Sequence, residues 1–161
     1  MNLHAAILCF LIQNLSFARL PEWSWMEEVS AARPFDPALS EWKGRPSLYV
    51  YFSPECGHCI DSWPGVLALA RRARASGLRV GGIAVGGVQR EDLLRFLEAY
   101  DDSMPVWFDS ARTVAATYGI RSVPKVLFVE ANGRVELFGD LTPRRWAQVE
   151  VIAKRIARAH P

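Results

Sequence analysis

A chain of 161 residues, 50% hydrophobic and 22% charged, is sized for one ordinary domain rather than two. Its 8 Phe, 6 Trp and 4 Tyr exclude disorder as the main state, and 11 Gly with 10 Pro exclude collagen-like or low-complexity order. No run approaches the roughly 18 apolar residues of a spanning helix, and 19 scattered basic against 17 acidic residues give no nucleic-acid footprint.

The first 18 residues carry no acid, Lys or Arg. Ala5 to Ile12 is an apolar run, Gln13 and Asn14 are polar, and Ser16-Phe17-Ala18 places small residues one and three positions before a cut. That is the anatomy of a secretory signal, although only the α-amino group and His4 charge its start. The competing reading is a buried N-terminal helix. Leu8 is too bulky for a lipoprotein box at Cys9, so membrane tethering is the less favoured outcome. The expectation is a signal peptide over residues 1–18, cleaved after Ala18, and a periplasmic or otherwise exported protein that keeps two cysteines, Cys56 and Cys59. An exported chain retaining one such pair and no other thiol points to redox work.

Residues 19–46 hold Trp23, Trp25, Trp42 and four prolines, Pro21, Pro34, Pro37 and Pro46. They read as an irregular lead-in to a domain over residues 47–161. Leu48 to Phe52 is a continuous apolar run, as a strand buried on both faces requires. From Cys56 onward Ile60, Trp63, Leu67 and Ala70 recur at helical spacing, with Arg71, Arg72 and Arg74 outward, Pro64 as a kink and Gly77 as a stop. Val80 to Val85 reads as a second strand, weakened by Gly81 and Gly82. Leu93, Phe96, Leu97 and Tyr100 mark a second helix, and Pro105 to Phe108 a third strand. Asp109 or Ser110 is positioned to cap a helix that runs to Tyr118 and ends at Gly119. Val126 to Val129, a turn at Asn132-Gly133, and Val135 to Phe138 form a hairpin. Thr142-Pro143 opens a last helix with Trp146, Val149, Ala153 and Ile156 inward. The pattern predicts an α/β domain, a mixed sheet covered by helices on both faces.

Cys56-Gly57-His58-Cys59 follows a buried strand directly and opens an amphipathic helix. A helix N-terminus presents unpaired N–H groups and roughly half a positive charge, which favours a thiolate. Such settings lower a cysteine pKa from about 8.5 to roughly 3.5–7.5. Thiolate is the attacking species in disulfide exchange, so Cys56 is the expected nucleophile and Cys59, one turn further in, the resolving thiol. His58, when protonated, adds positive charge beside Cys56, whereas Glu55 opposes it. The bland alternative for His58 is a solvated residue without a task.

Other chemistries fit less well. A disulfide across two residues closes a loop too small to stabilise a fold. A zinc site needs about four ligands, and beyond this motif the chain after residue 18 offers only His160. A cysteine or serine hydrolase lacks a partner histidine for the same reason.

At this point the chain resembles the thioredoxin superfamily, specifically its exported TlpA/ResA-like branch, over roughly Leu39 to Gly139. Leu39 to Pro46 is similar to the lead-in before that branch's first core strand, and Pro64 falls five residues after Cys59, where relatives kink their helix. Asp109 to Val123 resembles the stretch that runs into a cis-proline, which would be Pro124. The Gly57-His58 dipeptide is similar to disulfide isomerase sites, which are moderately oxidising. The resemblance implies a thioredoxin-like fold and a protein thiol–disulfide oxidoreductase with a redox-active Cys56–Cys59 couple and no organic cofactor or metal. It further implies that Val123 and Pro124 face the couple. Pro124 lacks an N–H, which leaves the Val123 backbone to pair with an extended substrate. Expected partners are cysteine-containing exported proteins, among them the apocytochrome c that some relatives reduce, and a separate redox-recycling protein, with no nucleic acid. Two departures stand out. Glu55 occupies the place of the tryptophan common before the first cysteine, and Val50 that of the buried acid that serves the second. The alternative function is a thioredoxin-fold binding or assembly module of an envelope complex with vestigial redox activity.

Overall fold

Alternation along one strand divides the interior in two. Leu48, Val50 and Phe52 turn to one face of a sheet while Tyr49 and Tyr51 turn to the other, and every residue from Ser47 to Phe52 is buried. This computed structural model describes residues 27–28, 44–75, 77–100, 104–132, 134–138, 147–151, 154–155 and 158. Its elements in chain order are β1 (Glu27–Glu28), β2 (Ser47–Phe52), α1 (Gly57–Ala75), β3 (Arg79–Val85), α2 (Arg90–Ala99), β4 (Val106–Asp109), α3 (Thr113–Tyr118), β5 (Lys125–Val129) and β6 (Val135–Phe138). Residues 147–151 are helical, with Val149 buried. The leader over residues 1–18, Trp23, Trp25, Trp42, the prolines at 21, 34 and 37, Gly133, Thr142-Pro143, Trp146, Ala153, Ile156 and His160 lie outside the described residues.

The sheet runs β1-β4-β3-β2-β5-β6. β2, β3 and β4 are parallel neighbours, as the intervening helices require, while β5 and β6 form an antiparallel hairpin on the other side of β2. The fold is thioredoxin-like, an α/β arrangement on a mixed sheet. The lead-in is not wholly irregular, because Glu27–Glu28 pairs antiparallel with Trp107 and Phe108 and covers the open edge of β4.

On the first face, Trp63, Val66, Leu67, Leu69, Ala70 and Ala73 of α1 and Leu93, Phe96 and Leu97 of α2 pack on Leu48, Val50, Phe52, Val126 and Phe128. Phe52, Trp63 and Phe96 form an aromatic triangle with ring centroids 4.3, 5.0 and 5.4 Å apart. Gly82, expected to weaken β3, has a positive task. A Cβ there would lie 3.0 Å from Phe52, 3.1 Å from Val106 and 3.3 Å from Trp63. One expectation for α1 fails: Ile60 does not join Trp63, Leu67 and Ala70 inside but is 37% exposed.

On the second face α3 covers Tyr49, Tyr51, Ile83, Trp107, Leu127 and Val129. Asp109 caps this helix, though not as its N-cap residue. That position belongs to Arg112, at φ 55°, whose Nε donates to the Gly86 carbonyl at 2.8 Å. The fully buried Asp109 carboxylate reaches past it to accept the N–H groups of Thr113 (2.8 Å), Val114 (3.1 Å) and Ala115 (3.3 Å). Tyr51 donates its hydroxyl to the same carboxylate at 2.9 Å. Burial and that carboxylate together hold the Tyr51 phenol well above its ordinary range, so it stays a donor. Gly119, at φ 64°, ends α3 as expected, and Ile120 N–H donates back to Ala115 at 2.9 Å.

Two stability outcomes follow from this packing. Asp109→Ala strands four donors and is expected to lower the unfolding free energy by about 2–4 kcal/mol, against about 1 kcal/mol for Tyr51→Phe. Gly82→Ala is expected to cost about 1–3 kcal/mol through overpacking against the aromatic triangle. Denaturant titrations of the three variants check both, and an Asp109→Ala loss no larger than that of Tyr51→Phe would contradict the capping account.

Candidate active site

β2 delivers the chain to the rim of the sheet at Phe52, and a short turn reverses it into α1. Ser53, the residue at which the apolar run stops, builds that turn. Its carbonyl accepts the Cys56 N–H at 3.2 Å and its hydroxyl accepts the Glu55 N–H at 3.2 Å. The available signal was a Ser-Pro pair between a strand and a helix start, a local pattern that competes with strand continuation. Ser53 and Pro54 are buried and Glu55 is exposed, so the turn is anchored on one side and open on the other.

Cys56 immediately precedes α1, and its carbonyl accepts the N–H groups of Cys59 at 2.9 Å and Ile60 at 3.0 Å. Its sulfur accepts the Cys59 N–H as well, at 3.4 Å. The side chain therefore occupies the capping position, where a shared backbone N–H and the helix dipole act on it together. Cys56 is partly accessible, whereas Cys59 is 1% exposed. Burial first, then the Cys56 sulfur at hydrogen-bonding distance, pushes the Cys59 thiol up to about 12. No carboxylate on β2 is placed to take its proton, because Val50 lies in the apolar core at 1% exposure.

Gly57 and His58 are both exposed in the first turn, and the His58 carbonyl accepts the Ser62 hydroxyl. Across the cleft the Val123–Pro124 peptide bond is cis. The Val123 carbonyl accepts the Cys56 thiol at 3.8 Å, Val123 is half-buried and Pro124 is buried. The pairing of Tyr51 with Lys125 holds this loop beside the end of β2. The structure thus gathers Cys56, Cys59, Val123 and Pro124 in one place, with Gly57 and His58 on the solvent side. Among the described residues no group of three or more His, Cys, Asp or Glu is gathered in a way that could hold a metal ion.

A two-cysteine turn opening a helix, set against a proline loop on a mixed sheet, is the arrangement of a thioredoxin-like fold. A model of the AhpC/TSA family matches residues 36–138, and the chain belongs to that family. Among curated proteins none matches. Solved structures with the same fold include a thiol-disulfide isomerase from Corynebacterium glutamicum, 15% identical at a TM-score of 0.71, covering 88% of this chain and 97% of that one. A secreted Mycobacterium tuberculosis disulfide oxidoreductase, homologous to E. coli DsbE, is 17% identical at 0.64, over 84% and 96% of the two chains. The exposed lipoprotein thioredoxin of Streptococcus pneumoniae is 21% identical at 0.63, over 73% and 89%. No helix among the described residues is long and apolar enough to cross a membrane.

A thiol held near 12 stays protonated at neutral pH and ionises only as pH rises. In Cys56→Ser, where burial still acts, alkylation of Cys59 is expected to climb about tenfold per pH unit from pH 8 towards 11. It should not level off near 8.5 as an ordinary thiol does. A plateau below about pH 9.5 would contradict the buried setting.

Proposed function

We propose that this protein catalyses thiol–disulfide exchange on exported proteins, with Cys56 as nucleophile and Cys59 as resolving thiol. One observation carries the proposal: an accessible sulfur at a helix start, accepting a backbone N–H and facing the Val123 carbonyl, with its partner thiol shielded one turn away.

In the reducing direction the Cys56 thiolate attacks one sulfur of a substrate disulfide. The substrate S–S bond breaks as the Cys56–substrate bond forms, and the second substrate sulfur leaves as a thiolate and takes a proton. Cys59, after losing its proton, attacks the Cys56 sulfur; the mixed disulfide breaks and the substrate leaves with two thiols. Two electrons pass to the substrate and the protein is left with the Cys56–Cys59 disulfide. Oxidation runs the same steps backwards; in isomerisation a second substrate thiolate attacks the substrate sulfur of the mixed disulfide, forming a new substrate disulfide and returning Cys56 as a thiolate. Gly57 keeps the approach to Cys56 free of a side chain. His58, when protonated, adds positive charge on the solvent side of the thiolate. Val123 offers its backbone to an extended substrate segment, and Pro124 presents no competing N–H.

Export is supported by the leader-like residues 1–18 and by two of the fold neighbours, one a secreted protein and one an exposed lipoprotein. Substrates are then cysteine-containing exported proteins, with apocytochrome c one candidate, and a separate redox partner resets the couple. The chemistry takes place on the two sulfurs alone and asks for no organic cofactor or metal.

Cys59→Ser is expected to trap substrates as mixed disulfides that Cys56→Ser does not form, read on non-reducing gels after acid quench. If Cys59→Ser traps nothing and Cys56 alkylates no faster than a free thiol at neutral pH, the exchange reading fails. A binding or assembly role would then take its place.

A further inference from the structure

We infer that Ile60 selects the substrate side chain lying two residues from the attacked cysteine, so that this chain prefers segments with a large apolar residue there. The inference rests on the exchange chemistry proposed above and adds a substrate class to it. Ile60 is one of three large exposed apolar residues among those described; the others, Leu137 on β6 and Val151 in the terminal helical segment, lie on other elements. Helical spacing alone would turn Ile60 inward with Trp63 and Leu67. Trp63, fully buried and stacked on Phe52 and Phe96, fills the seam instead.

Ile60 follows Cys56 by one turn, and its N–H bonds the Cys56 carbonyl at 3.0 Å. Side chains four apart on a helix have Cβ atoms about 5–6 Å from each other. At about 100° per residue Ile60 lies only ~40° around the helix from Cys56, whereas Asp61 and His58 lie ~140° and ~160° away. Pro64, exposed, continues the same stripe one turn further on. The carbonyl of half-buried Val123 lies 3.8 Å from the same sulfur. The rim of the nucleophile therefore carries an exposed apolar side chain one helical turn along and a backbone carbonyl from the proline loop.

The chemistry fixes what covers this rim. A mixed disulfide ties the substrate cysteine to Cys56, so its neighbours must overlie the surface around the sulfur. In an extended segment, side chains two residues apart share a face about 6.6 Å apart. That spacing matches the step from Cys56 to Ile60, and an apolar side chain there removes Ile60 from water.

The test uses the reduced full chain and peptides whose single cysteine carries a disulfide-linked thionitrobenzoate, with Leu or Ser at both positions two residues from that cysteine. Cys56 attacks the peptide sulfur, the S–S bond breaks and the coloured aromatic thiolate leaves. The symmetric aromatic disulfide, which has no peptide, is the control. The wild-type chain is expected to prefer Leu about tenfold in second-order rate constant. Ile60→Ser should reduce that preference below about twofold, Ile60→Leu should keep it, and the control rate should be the same in all three. No preference in the wild type, a preference that survives Ile60→Ser, or an equal slowing of the control reagent overturns the assignment. Failure of the wild type to react even with the control overturns the exchange chemistry itself, a different result from lost discrimination.

Discussion

The arrangement depends on a hydrogen bond within one helical turn, from the Cys59 backbone N–H to the Cys56 sulfur. A strand buried on both faces brings the chain to the edge of the sheet, and the turn built by Ser53 reverses it into a helix. The Cys59 N–H in the first turn of that helix is shared between the Cys56 carbonyl and the Cys56 sulfur. Proximity to Val123, shielding of Cys59 and access from solvent all follow from where that helix begins.

The aromatic triangle beneath the turn fixes the direction of the helix. Phe52 ends β2, Trp63 lies two turns beyond Cys56, and both rings occupy space that Gly82 leaves open. Packing of this kind discriminates between the two thiols more sharply than their separation in sequence suggests. Cys59 is drawn into the apolar interior and held at a high pKa, while Cys56 stays at the surface. On the other face the Asp109 carboxylate, fed by Tyr51 and three backbone donors, holds α3, from which the chain passes through Gly119 to the Val123–Pro124 loop. The two halves of the cleft thus hang from opposite faces of one sheet, joined through adjacent strands β2 and β5.

Most of the fold was legible because its signals are periodic. Continuous apolar runs at Leu48 to Phe52 and Val126 to Val129 can be buried on both faces, and the stripe at Leu93, Phe96 and Leu97 can be only one face of a helix. Glu27–Glu28 was not legible. Two acidic residues carry no strand signal, and only an open edge on β4 recruits them. Asp109 was visible as a cap, but not its reach past Arg112, because that depends on a left-handed residue in the turn. The hydrogen bonds that Ser53 makes in the turn were not legible, because a hydroxyl that organises a turn looks like any other serine between two elements.

The sequence by itself determined the chemistry: two thiols three positions apart, a strand before them, a helix from them and a proline far downstream. These are properties of residue types and local spacing, and local propensity suffices to express them. Only the tertiary structure decided that Glu27–Glu28 covers the edge of β4, that the Asp109 carboxylate reaches past Arg112, and that Ile60 turns outward. Each depends on neighbours that only the folded sheet brings together, as with Trp107 and Phe108 beside β1, Gly86 beside Arg112, and Phe52 and Phe96 against Trp63, and local spacing does not specify them.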